Sequence, residues 1–124
     1  MLSGIGIDVV EIRRIKKVIE KWDEKFISRL FTVNEISRCR VRCNDAECFA
    51  VRFAAKEALA KALGHGWCQH FRWTDVEVTS ENSGKPGLRI VGITARLVAN
   101  KRVMLSLTHT REYAAAIVTV EDEL

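Results

Sequence analysis

With a single proline among 124 residues, 7 glycines and no tract dominated by one residue type, the chain offers neither a linker nor a low-complexity segment. Apolar residues make up 48% and charged residues 29%, the balance of a folded chain, which argues against disorder. No stretch reaches the roughly 18 apolar residues that a membrane-crossing helix requires. The opening MLSGIGIDVV is too short and lacks the basic flank of a secretory signal. A soluble, cytoplasmic protein is expected, folded as one domain over residues 1–124. The four cysteines, Cys39, Cys43, Cys48 and Cys68, show no CxxC spacing and no framework of the secreted type. They are expected to be reduced and to act as small apolar side chains. A zinc site from Cys39, Cys43, Cys68 and His70 is disfavoured, because structural zinc pairs sit within a tighter knuckle. The chain is nevertheless basic, with a net charge of +4 and a pI near 9.0, and this points to an anionic partner: nucleic acid, a phosphorylated small molecule or an acidic protein.

What is present centres on Phe49 to Gly64, FAVRFAAKEALAKALG. Asn44 or Asp45 supplies an N-cap, Glu47 has the spacing of a capping box on Asn44, and Gly64 supplies a left-handed stop. At about 100° per residue, Ala46, Phe49, Ala50, Phe53 and Ala60 fall on one arc, the expected buried face. Lys56 and Glu57 fall inside that arc, where burying a charge is costly unless it is paired or bound to a metal. An ordinary surface pair of Glu57 with Lys61 and a mild repulsion between Arg52 and Lys56, both i,i+4, would also account for this pattern. The many alanines of the stretch leave room for something large or close against the helix.

Along the chain, Ile5, Ile7 and Val9 alternate with Gly4, Gly6 and Asp8, the period of a strand with one buried face. Asp8 shares its face with two glycines and so has open space before its carboxylate. It also has the spacing to cap the next helix with Glu11. Glu11 to Trp22 reads as an amphipathic helix with Ile12, Ile15, Ile19 and Trp22 inside and Arg13, Arg14, Lys16, Lys17 and Lys21 outside. Phe26 to Phe31 continues as a short helix, and Thr32-Val33-Asn34-Glu35 is a capping box that opens another. His65-Gly66 turns the chain, Val76 and Val78 form a strand, ENSGKP from Glu81 to Pro86 makes a hairpin, and Leu88 to Val91 returns. A short helix over Ile93 to Asn100 and strands over Arg102 to Thr108 and Tyr113 to Val120 complete the chain. This order predicts an α+β domain, a mainly antiparallel sheet with helices packed on one face.

Asp8, Lys56, Glu57, Lys61 and His109 are the residues whose chemistry the fold does not demand. Two carboxylates suit magnesium that also binds substrate phosphate and keeps several waters. Lysines beside them neutralise phosphate charge that the metal leaves uncovered. The pattern is one of phosphoryl chemistry.

Blocks in order along nearly the whole chain sharpen this. They are GIGIDVVEI at Gly4–Ile12, RLFTVNE at Arg29–Glu35, RFAAKEALAKALG at Arg52–Gly64, WTDVEV at Trp73–Val78, SGKP at Ser83–Pro86 and SLTHTREYAAA at Ser106–Ala116. Together they resemble the holo-acyl-carrier-protein synthase family, the small single-domain phosphopantetheinyl transferases. The resemblance implies Asp8 and Glu57 as magnesium ligands, with Lys61 approaching the pyrophosphate of coenzyme A. It implies Arg52, Lys56, Gly64, the Lys85-Pro86 loop, Thr108 and His109 as positions around that coenzyme. The implied reaction is attack of a serine of apo acyl carrier protein on the β-phosphorus of coenzyme A, releasing adenosine 3′,5′-bisphosphate. Catalysis then falls to Asp8, Glu57 and Lys61. Acyl carrier proteins are acidic, which makes Arg13, Arg14, Lys17 and Lys21 carrier-gripping candidates. Family members assemble as trimers with active sites between subunits. Thr108 stands where the family often has serine, and Cys39 to Cys48 matches no block of the family.

Two other classes stay open on the residues alone. The basic first third fits a nucleic-acid-binding domain, although no helix-turn-helix, zinc-finger or RNP-type motif occurs. The same carboxylates also fit a magnesium-dependent hydrolase of the coenzyme A pyrophosphate, with water as the nucleophile.

Overall fold

The computed structural model describes residues 1–64 and 71–123. The His65-Gly66 turn, Cys68 and His70 lie outside the described residues. The chain runs β1 (Leu2–Glu11), α1 (Ile12–Trp22), α2 (Glu24–Leu30), α3 (Val33–Arg40), α4 (Asp45–Leu63), β2 (Val76–Ser80), β3 (Pro86–Ile90), β4 (Lys101–His109) and β5 (Tyr113–Asp122). Short 3-10 turns occupy Trp73–Asp75 and Gly92–Val98. All strand pairs are antiparallel, in two sheets: β1-β5-β4, with the first and last strands side by side, and the hairpin β2-β3. The α+β class read from the sequence is the observed one, and among the described residues no helix is long and apolar enough to cross a membrane.

Local signals explain most element ends. Thr32 closes a full capping box with Glu35, Asn44 accepts from the Glu47 N–H at 3.1 Å, and Gly64 stops α4 at φ 72°. The turn between β2 and β3 closes through Glu81 N–H to the Lys85 carbonyl at 2.8 Å. Helix α1 begins differently from expectation. No side chain caps it, Asp8 takes no part, and the Ile12 N–H instead donates to the Glu112 carbonyl at 2.9 Å. Trp22, expected inside, is half exposed because Asp23 turns the chain at φ 35° just beyond it; Lys21 lies over its ring.

Helix α4 is not buried along one arc but on nearly every side. Alanines 46, 50, 54, 55, 58 and 60 meet the β1-β5 side or the neighbouring helices, and Phe49 stacks near Phe31 with ring centroids 4.9 Å apart. Lys56, which sequence reasoning placed beside the coenzyme, is fully buried. Its ammonium donates to Glu35 Oε1 at 2.6 Å, to the Leu30 carbonyl at 2.6 Å and to the Trp73 carbonyl at 3.1 Å. Glu35 also accepts the Val78 N–H at 3.0 Å and the Thr32 N–H at 3.0 Å. The expected coenzyme contact is therefore replaced by an internal hub that ties α2, α3, α4 and β2. Burial drives the Lys56 pKa down, and Glu35 opposes that shift.

The cysteine expectation also changes. Cys39 and Cys48 are bonded to one another, because the loop after α3 brings the first turns of α4 back beside it, with the two Cα atoms 5.4 Å apart. Cys43 is a free, exposed thiol. With Cys39 in the disulfide, the zinc arrangement has lost a ligand.

The buried hub makes a sharp stability prediction. Lys56→Met strands the Glu35 carboxylate in the core and is expected to cost about 3–5 kcal/mol. Adding Glu35→Gln, whose amide oxygen still accepts the Val78 N–H, should restore more than half of that loss in urea unfolding. Equal destabilisation by the single and double variants would contradict the hub.

Candidate active site

The site begins with a close contact between backbone and backbone. A Cβ built on Gly6 would stand 1.9 Å from the Ala58 carbonyl oxygen, and one on Gly4 2.1 Å from that of Ala62. With no side chain between them, β1 lies directly on α4, and Asp8, two residues after Gly6 on the same face, is delivered against the helix. Lys61 Nζ donates to Asp8 Oδ1 at 2.9 Å and to the Ile7 carbonyl at 3.1 Å. The surface pairing of Glu57 with Lys61 is thus not what the structure forms; Asp8 is the lysine's partner.

Asp8 and Glu57 line one cleft of about 350 Å³, together with Glu11, Arg14, Phe26 and Phe53. The Glu57 pKa is raised, first by burial and then by the negative charge of Asp8, with Lys61 pulling the other way. Two carboxylates close enough for one to resist ionisation of the other form a place where a cation is favoured. Among the described residues no group of three or more His, Cys, Asp or Glu gathers around a common point. The donor set therefore suits magnesium that takes its other ligands from water and phosphate, and does not suit an ion caged by protein alone.

A second cleft, of about 300 Å³, lies on another flank of α4 and brings together Arg38, Arg42, Arg52, Pro86 and His109. Arg52 is 9% exposed; its Nη1 donates to the Cys48 carbonyl at 3.2 Å, while its Nε is buried without a hydrogen-bond partner. Burial lowers the Arg52 pKa, as do Arg38 and Arg42, against the pull of Glu35. His109 Nε2 stands 3.7 Å from Glu47 Oε1 across the same cleft. An orphaned guanidinium N–H within a cluster of arginines is chemistry for an anion such as phosphate.

Of the expected coenzyme positions, Arg52, Pro86 and His109 share this cleft, and Lys85 is exposed beside Pro86. Thr108 points to the opposite, uncovered face of the sheet, and Gly64 serves as the helix stop. Arg13 and Lys17 line a groove of about 660 Å³ with Lys16 and Arg111, Arg14 overlooks the carboxylates, and Lys21 lies on Trp22. Sequence reasoning missed Arg38 and Arg42 as members of the anion cleft. Their i,i+4 spacing on a basic stretch was the available signal, but their approach to Arg52 depends on how the loop before α4 folds back.

The family model for the 4'-phosphopantetheinyl transferase superfamily matches residues 4–118. A holo-[acyl-carrier-protein] synthase of Halothermothrix orenii is 45% identical over 125 residues, covering 98% of this chain and 99% of the relative. One from Solibacter usitatus is 42% identical, covering 98% and 100%. Among solved structures, the Bacillus anthracis holo-(acyl-carrier-protein) synthase in complex with CoA (3',5'-ADP) superposes with a TM-score of 0.84 at 36% identity, covering 99% of each chain. The Helicobacter pylori holo-[acyl-carrier-protein] synthase in complex with coenzyme A gives 0.82 at 28% identity, covering 94% of this chain and 99% of that one.

The raised Glu57 pKa carries a consequence for stability. A carboxyl that holds its proton more tightly when folded contributes fully below its unfolded pKa, and that contribution is lost as pH rises through the folded value. Metal-free Glu57→Gln should therefore melt at a higher temperature than wild type at pH 7, with the difference vanishing below about pH 4. Thermal denaturation in chelator checks this; a lower midpoint for the variant at pH 7 would contradict it.

Proposed function

The chain belongs to the 4'-phosphopantetheinyl transferase superfamily and is an enzyme of the holo-[acyl-carrier-protein] synthase type, and from that membership we propose how its residues divide the work. It moves the 4'-phosphopantetheine arm of coenzyme A to a serine of apo acyl carrier protein, with magnesium, in the cytoplasm and as a homotrimer. The observation that carries this reading is the pairing of an Asp8–Glu57 carboxylate cleft with a separate arginine cleft on the same helix.

Asp8 and Glu57 are the residues that would hold the metal. A metal held there would supply polarisation of the pyrophosphate and offset charge that builds on its oxygens. Arg52, Arg38, Arg42 and His109 hold the phosphates of the nucleotide half, the buried Arg52 Nε–H finding its missing acceptor there. Lys61, exposed at the last turn of α4, is placed to meet the bridging phosphates. The serine hydroxyl gives its proton to Glu57 or to water in the cleft as its oxygen bonds to the β-phosphorus and the bond to adenosine 3′,5′-bisphosphate breaks, and the apolar wall of Phe26 and Phe53 keeps the reacting end partly dry. Arg13, Arg14, Lys17 and Lys21 present positive charge to an acidic carrier next to the carboxylate cleft.

The trimer is supported by what the sheet leaves uncovered and by the angle between the clefts. Ile5, Ile7 and Val9 of β1 are about three-fifths exposed, and Ile117 and Met104 of the adjoining strands share that face. Such an apolar patch asks for a partner. Arg52 and Glu57 project about 140° apart around α4, so a coenzyme held by the arginines of one protomer reaches the carboxylates of its neighbour more readily than those of its own.

Co-expressing Asp8→Asn with Arg52→Ala tests this division. Each variant alone should lose transfer to apo carrier by about 100-fold or more. Randomly mixed trimers should regain about one quarter of wild-type activity, since most contain both chains and each mixed trimer rebuilds one site. A mixture no more active than its parents would refute a site shared between subunits.

A further inference from the structure

The ion pair at the carboxylate cleft carries a role of its own. Asp8 is mostly shielded, its side chain 14% exposed, whereas Lys61 is 52% exposed and approaches from the open end of α4. The lysine spends two of its three N–H donors on Asp8 Oδ1 and the Ile7 carbonyl. It therefore sits on one of the two carboxylates that a divalent cation needs, with the other, Glu57, left without a hydrogen-bonded cation.

We propose that Lys61 is a displaceable counter-cation: it occupies Asp8 while the site lacks metal, and a divalent ion must evict it before Asp8 and Glu57 can act together. The inference rests on the metal reading given above and adds to it a second state for Lys61. An ammonium on a long flexible stem gives up a single carboxylate contact easily, and its exposure leaves room to swing. Eviction frees its charge beside the metal, where the coenzyme phosphates arrive, so metal loading and phosphate capture become linked through one side chain. In the metal-free state the same contact screens Asp8 from Glu57, which lets two carboxylates share a cleft without repelling β1 from α4.

The position also sets what Lys61 costs the site. Any cation entering must replace a charge-assisted hydrogen bond, so wild-type affinity for a bare divalent ion is held below what the two carboxylates alone could give. Arg14 lines the same cleft and bears the same charge, but makes no hydrogen bond to either carboxylate, which makes it the control for charge alone.

The test measures binding of Mn²⁺ to the metal-free full chain, by the paramagnetic signal of the free ion, with no coenzyme and no carrier present. Lys61→Met is expected to bind Mn²⁺ about tenfold tighter than wild type, with Lys61→Gln close to it. Arg14→Gln should change affinity by less than about twofold, and Asp8→Asn should abolish binding in both backgrounds. Thermal midpoints confirm that each variant is folded. Unchanged or weaker Mn²⁺ binding in both Lys61 variants, with Asp8→Asn still abolishing it, overturns the proposal alone. An equal gain from Arg14→Gln also overturns it, since charge would then suffice. Mn²⁺ binding that survives Asp8→Asn overturns the metal reading together with the proposal.

Discussion

The site depends on β1 lying bare against α4. Gly4 and Gly6 let the strand backbone touch the carbonyls of Ala62 and Ala58, and any side chain at either position would have to displace the helix backbone. Because side chains alternate along a strand, the residue that follows those glycines on the same face is aimed at the helix whatever its identity, and here it is Asp8. Glu57 and Lys61, one helical turn apart on α4, are then met by it. The alanines of α4 serve the same end from the other side, keeping the helix thin where strand and neighbouring helices close on it. The geometry of this candidate site thus follows from a packing distance, and charge enters afterwards.

How much of this could be read from residues alone divides along a physical line. Features that depend on local geometry were legible: the Thr32 capping box, the Gly64 stop, the hairpin at ENSGKP and the alternation that marked β1. Which face of β1 is buried was read the wrong way round: Gly4, Gly6 and Asp8 close on α4, leaving no open space before Asp8, while Ile5, Ile7 and Val9 stay exposed. Features that depend on two distant segments meeting were not legible. Lys56 looked like a ligand because a cation on a buried arc needs an anion, and the anion turned out to be Glu35, already explained as a cap and so not sought as a partner. The Cys39–Cys48 bond required knowing how the loop before α4 folds. The single buried arc assigned to α4 failed for a similar reason, since periodicity cannot reveal that a second layer covers the other side.

The two clefts show the limit of one chain. Carboxylates and arginines face different flanks of α4, and the strand face between their elements is apolar and open. An assembly that covers this face would bury Ile5, Ile7 and Val9 and bring complementary clefts together, joining stability and catalysis in one interface. The groove along the basic side of α1 reaches the edge of that face through Glu11 and Tyr113.

The central claim is that this geometry transfers a phosphopantetheine arm using a divalent ion at Asp8 and Glu57. Intact-mass spectrometry of an apo acyl carrier protein, incubated with this protein and coenzyme A, measures it directly. The carrier is expected to gain the mass of one phosphopantetheine arm with magnesium present, and to gain nothing in chelator or when Glu57→Ala replaces the wild type. A full gain in chelator, or with the folded Glu57→Ala variant, would contradict it.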